Sequence, residues 1–228
     1  METQTDRQPA APRIPRGLFV FSLLYGGMAT FAGVLAFKQV QIPFTNLAVE
    51  AGIFAFLILV VISSSVAQLY SEITARHMVW WGFLPLLVAI LLMFLVLWLP
   101  PSADMVSQRG EELEAFEVVH NQLWRIMAAG PVAYLVSLLL NVWLFSKLRG
   151  KTTGEGNALG LMIRGGIASA LSQAIDSVIF VTLAFYGEFD ITNLLIGQVI
   201  AKVVLSLVLV PPLIVATVKL SHKLDSST

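Results

Sequence analysis

Six apolar runs, near residues 18–37, 48–69, 79–99, 122–145, 165–186 and 193–217, dominate the chain. Each is close to the roughly 20 residues that a helix needs to cross about 30 Å of hydrocarbon. The runs are continuous in Leu, Val, Ile, Phe and Ala, without the alternation of a membrane β-barrel. With 57% hydrophobic and 12% charged residues and a mean hydropathy of +0.82, the chain has too little charge to coat a soluble globule of 228 residues. The expected fold class is all-α: a polytopic membrane protein of six transmembrane helices over residues 17–220, flanked by cytoplasmic tails at 1–16 and 221–228.

Orientation follows from Lys and Arg, because short loops rich in them stay in the cytoplasm. Arg7, Arg13, Arg16, Arg76, Lys147, Arg149, Lys151, Arg164, Lys219 and Lys223 fall on one side of the expected spans, and Lys38, Arg109 and Arg125 on the other. This strict alternation predicts that both termini are cytoplasmic, and the expected location is a bacterial inner membrane. Asp104, Glu111, Glu112, Glu114, Glu117, Glu188 and Asp190 make the outer loops acidic. Net charge is zero, which gives no case for nucleic-acid binding. The first apolar run is too long for a cleavable signal peptide and shows no convincing cleavage site.

Polar residues inside the runs carry the functional information. In the fifth run Ser169, Ser172, Gln173, Asp176 and Phe180 recur at three- and four-residue steps, one stripe of a helix, with Asp176 near mid-span. A carboxylate at that depth costs roughly 2.5–3.5 kcal/mol on insertion scales and needs a partner, water or a ligand. In the sixth run Gln198, Lys202 and Ser206 lie at i, i+4 and i+8. Asp176 and Lys202 either neutralise each other or flank a polar ligand, and both readings stay open. Ser64, Gln68 and Glu72 step along the end of the second run, with Glu72 at the cytoplasmic mouth or simply solvated. Arg125 opens the fourth run near the outer face, followed by Tyr134, Ser137 and Asn141 on one stripe.

Small residues at Ala29, Ala32, Gly33 and Ala36 let helices approach closely in the first run, and they could equally dock a partner. Gly130 with Pro131, and Pro211 with Pro212, should interrupt the fourth and sixth helices. Trp80, Trp81 and Trp98 read as interface anchors on a lipid-facing third span. The catalytic alternatives do poorly. There is no cysteine; His77, His120 and His222 sit at membrane edges without metal-ligand spacing; and neither a phosphate loop nor a serine elbow occurs. No cofactor and no enzymatic activity are expected. Transport would draw on a gradient, on trapping of the substrate, or on a separate energising partner, and a homo-oligomer or a non-transporting scaffold stays open.

The run RGGIASALSQAIDSVIFVTLAFYG, from Arg164 to Gly187, resembles the signature of the queuosine precursor transporter family, also filed as vitamin uptake transporters. SEI around Glu72, RIMAAGPVAYLVSLLLNVWLFSKLRG from Arg125, and QVIAKVVLSLVLVP from Gln198 to Pro211 extend the likeness over about residues 20–220. Where that pattern has an aspartate the chain has Gln68, and where it has Gln and Asp in the fourth run the chain has Leu138 and Asn141. The resemblance implies a small-molecule substrate, 7-cyano-7-deazaguanine or 7-aminomethyl-7-deazaguanine, and a six-helix bundle like vitamin-capturing S-components. On that reading Asp176 or Glu72 accepts the paired N–H groups of the base, and Gln173, Lys202 or Arg125 donates to its oxygen. Phe180, Tyr134 or Phe185 stacks on its face.

Overall fold

The computed structural model describes residues 14–149 and 158–226, the side chains of 138, 139, 141–149, 158–169 and 226 excepted. Nine helices are assigned among the described residues: α1 Arg16–Ala36, α2 Ile53–Leu69, α3 Glu72–Gly82, α4 Leu84–Trp98, α5 Ala103–Gln108, α6 Gly110–Arg149, α7 Ala158–Phe185, α8 Thr192–Val208 and α9 Val210–Ser226. Each expected apolar run lies largely on helix, with α3–α4 and α8–α9 each serving one run. Arg16–Ala36 and Glu72–Trp98 are long and apolar enough to cross a bilayer, and Thr192–Val208 with Val210–Asp225 does so if that pair, bent by 50°, is one span. Ile53–Leu69 and Ala170–Phe185 are apolar but shorter.

The surface is inverted relative to a protein that folds in water. Leu91, Leu92 and Leu95 of α4, Ile175 and Val178 of α7, and Ile200 and Val204 of α8 are exposed, whereas Asp176, Lys202, Gln198 and Glu50 are buried. Apolar side chains face outward without penalty only where lipid is the solvent, and polar groups must then find partners within the bundle. Helix α4 has Leu86 as its one buried residue, as befits a lipid-facing span; Trp98 is exposed at its end, and Trp80 and Trp81 are exposed just before the α3–α4 junction.

The described residues are mostly helical, as expected, with one short hairpin among the helices. Strands β1 (Gln39–Gln41) and β2 (Ala48–Glu50) form an antiparallel hairpin between α1 and α2, pairing Gln39 with Glu50 and Gln41 with Ala48. Residues 48–50, read as the head of the second span, therefore belong to β2. The cause is local: Pro43 and Phe44, the latter at φ 63°, turn the chain so that the Thr45 N–H bonds to the Ile42 carbonyl, and the two short segments satisfy each other's edge bonds.

The proline expectations divide. Pro211 and Pro212 lie in the first turn of α9, where a missing N–H breaks nothing, and the bend falls just before them. Helix α6 instead runs on through Pro131, at the expense of the bond that Pro131 cannot donate to the Met127 carbonyl. The small residues of α1 are used within the chain. Ala29, Gly33 and Ala36 are buried, and a Cβ on Gly33 would meet Met127 of α6.

The ends of the bundle are tied together. The Asp225 carboxylate accepts from the Gly17 N–H and from the Tyr70 hydroxyl, each at 2.8 Å, linking α9, α1 and the end of α2. The Gly17 N–H, one of the groups a helix start leaves unpaired, holds the Asp225 carboxyl below its usual range. Residues 221–226 continue α9 rather than hanging free, and the amino-terminal residues 1–13 lie outside the described residues.

Gly197 sets the closest helix-to-hairpin approach, because a Cβ there would run into the backbone of Ala48 in β2. Alanine normally stabilises a helix interior by about 1 kcal/mol relative to glycine. Gly197→Ala should do the reverse and lower the melting temperature of purified protein. Gly27→Ala, with nothing within 4 Å of the new methyl group, should hold or raise it. Equal increases for both variants would contradict this approach of α8 to β2.

Candidate functional site

The two polar stripes meet. Helix α8 buries Leu194, Gly197, Gln198 and Lys202, so its polar stripe is also its inward face. Helix α7 turns Ser172, Asp176, Ser177 and Phe180 inward. Lys202 Nζ lies 2.5 Å from Asp176 Oδ2, with both side chains almost fully buried, and Ser137 of α6 donates its hydroxyl to Asp176 Oδ1 at 3.1 Å. The ammonium also sits 4.2 Å from the centre of the Phe56 ring and 5.5 Å from that of Phe180, a cation–π arrangement that partly replaces lost water.

A second polar pair adjoins the first. Gln198 Oε1 accepts from the Glu50 backbone N–H at 3.2 Å, while Gln198 Nε2 donates to Glu50 Oε1 at 2.5 Å. One orientation of the amide satisfies both bonds, so Gln198 fixes the end of β2 and the Glu50 carboxylate together. The amides of Gly52 and Ile53, at the start of α2, also face that carboxylate, where a helix favours negative charge. Even so, Glu50 Oε2 is buried without a hydrogen-bond partner of ordinary geometry.

These groups border a cavity of about 60 Å³ in the centre of the bundle. Its wall is mostly apolar, with small residues from α1 and the rings of Phe56, Phe83, Tyr134 and Phe180, and its polar groups are Glu50, Asp176 and Lys202. Tyr134 meets Phe83 edge-on at 5.8 Å and Phe56 at 6.5 Å, so the aromatic wall is held by mutual packing. At roughly 10–15 Å³ per water-sized group, the space holds about four to six such groups.

Of the candidate residues, Asp176, Lys202, Tyr134 and Phe180 line this cavity. Gln173 does not line it, although its Oε1 is buried without a partner one turn before Asp176. Phe185 packs edge-on to Phe180, at 6.1 Å, without reaching the cavity. Arg125 is engaged elsewhere: it donates to the carbonyls of Leu183 and Tyr186 and to Glu188, closing the end of α7 whose carbonyls lack helical partners. Gln68 is exposed, and Glu72 is mostly exposed and bound to Arg76 at 2.7 Å. The four-residue stepping from Ser64 fails at Glu72 because the chain breaks at Ser71, which caps α3 through a bond from the Thr74 N–H. The Asn141 side chain lies outside the described residues, as do Leu138 and Ser169.

Glu50 and Phe56 were not singled out from sequence. An acid at the head of an apolar run reads as a membrane edge unless the preceding turn is recognised as a hairpin, and that hairpin is what carries Glu50 inward. Phe56 looks like any other apolar residue of its run.

Removing one partner of a buried ion pair leaves an uncompensated charge and costs about 3–5 kcal/mol, whereas replacing both can be neutral. Asp176→Asn or Lys202→Met alone should therefore lower the melting temperature strongly, and the double variant should recover most of the loss. Single variants that melt like the wild type would show that the pair does not hold the helices.

With the geometry in place, comparison with known proteins gives the family. Residues 50–216 match the family described as "Putative vitamin uptake transporter". The "Probable queuosine precursor transporter" of Bacillus subtilis (strain 168) is 29% identical over 145 residues, which are 62% of this chain and 60% of that protein. The match thus spans less than two thirds of the relative's length. No solved structure matches the chain. Helices with outward apolar faces around a buried polar centre agree with the sequence match, and the chain belongs to this family of membrane transporters.

Proposed function

We propose that the chain is a multi-pass protein of the bacterial inner membrane that imports a queuosine precursor, 7-cyano-7-deazaguanine or 7-aminomethyl-7-deazaguanine, through the central cavity. The observation that carries this reading is the Asp176–Lys202 pair beside that cavity. Desolvating two ions costs several kcal/mol each, and apolar side chains of similar volume would join α7 to α8 at least as well. An ion pair retained in a lipid-embedded bundle is thus better explained by a polar ligand than by packing. The aromatic wall suits a flat heterocycle, and the name of the Bacillus relative supports a deazaguanine.

The topology proposed with it has six crossings, α1, α2, α3–α4, α6, α7 and α8–α9, with both termini cytoplasmic. It rests on the agreement of helices with apolar runs and on the Lys and Arg alternation. A bicyclic base exceeds the space in the cavity, so admission requires the walls to part, as in transporters that expose one site alternately to each side.

The second reading, a binding component that needs an ATP-driven module, loses its docking feature, since Ala29, Gly33 and Ala36 are buried within the chain. Purified protein in liposomes should therefore take up labelled 7-cyano-7-deazaguanine without a partner. In cells that cannot make the precursor, deletion of this protein should abolish both accumulation of the labelled base and queuosine in tRNA. Equal accumulation with and without the protein would refute the import reading, and uptake in cells but not in liposomes would favour an obligatory module.

A further inference from the structure

The cavity contains two carboxylates, and they are in different chemical states of engagement. Asp176 uses both oxygens within the chain, Oδ1 for Ser137 and Oδ2 for Lys202. Glu50 is 3% exposed and makes no ion pair within 4 Å among the described residues. Its Oε1 takes one bond from Gln198, and its Oε2 accepts none. A buried acceptor left unpaired costs about 1–3 kcal/mol, more when charged, and such sites call for an explanation.

We infer that Glu50 receives the hydrogen-bond donor edge of the transported molecule, and that this edge is a ring N–H with an adjacent exocyclic amino group. The inference rests on the import reading and deepens it by naming the acceptor. A carboxylate presents two oxygens in one plane and accepts two parallel N–H donors as a charge-assisted pair, stronger than neutral bonds. Glu50 has acceptor capacity left for this: Oε2 has no hydrogen-bond partner of ordinary geometry, and Oε1 accepts one bond, from Gln198. Its position is built, because Gln198 holds the backbone and side chain of Glu50 at once. Asp176 and Lys202 then neutralise each other beside the ligand, with Lys202 free to donate to a carbonyl oxygen through its remaining N–H groups.

The discriminating experiment is equilibrium binding to the purified full chain of 7-cyano-7-deazaguanine and of the same base lacking the 2-amino group. Wild type should prefer the amino-bearing base by about tenfold or more, as expected for one charge-assisted bond and its unpaired acceptor. Glu50→Gln turns one acceptor into a donor facing a donor and should bring the preference below about threefold. Glu50→Asp keeps the charge but withdraws it by one methylene, and should weaken binding of the amino-bearing base more than that of its analogue. Equal wild-type affinity for the two bases overturns the inference even if no variant folds, and so does a Glu50→Gln protein that keeps the full preference. Failure of the wild type to bind either base would instead sink the import reading, and this assignment with it.

Discussion

The ion pair between Asp176 and Lys202 governs the arrangement of the helices around it. Inside a bilayer no water is available to a stranded charge, so each of these residues dictates where the other must be. To bring them within bonding distance, α7 and α8 must lie side by side with their polar stripes facing, and Ser137 draws α6 to the same point. The aromatic rings of Phe56 and Phe180 then close over the ammonium, which brings in α2. Four helices are thereby registered to one another by a single polar contact, while their apolar faces, interchangeable among themselves, are left to lipid.

The hairpin plays a part that helices alone could not. A helix beginning at Ala48 would leave Glu50 on a helix face with its side chain fixed by helical direction, whereas β2 delivers it into a bonding pocket made by one glutamine. This depends on Gly197, one residue before Gln198, whose lack of a side chain lets α8 touch the strand. The polar centre therefore has two parts, one in which Glu50 is held by Gln198 and one in which an ion pair lies under the Phe56 and Phe180 rings.

Much of this was legible in the sequence because membrane insertion imposes strong rules. Run length located the helices, and the i, i+4 spacing of Gln198, Lys202 and Ser206 and the stripe through Asp176 identified the two faces that meet. Two physical effects hid the rest. Helical periodicity holds only while the helix continues, so the stripe from Ser64 through Gln68 could not be carried past the break at Ser71 to Glu72. Charge near an apolar end also has two outcomes that composition does not separate. Arg125 turned to the carbonyls at the end of α7, while Glu50, apparently at a similar edge, was folded inward by a turn of six residues between strands. Pro131 shows the same limit: α6 continues through it with one bond missing.

The central claim is that a polar molecule occupies the space between α1, α2, α6, α7 and α8. The chain has no cysteine, so a single introduced thiol reports without background. Ala133→Cys places one on the cavity wall beside Tyr134 with little change in size, and Val88→Cys places a control on the exposed face of α4. The account predicts that 7-cyano-7-deazaguanine slows modification of Cys at position 133 by a small membrane-permeant thiol reagent and leaves position 88 unaffected. Modification at position 133 that proceeds at the same rate with saturating base, in protein shown to bind it, would place the ligand elsewhere and contradict the account.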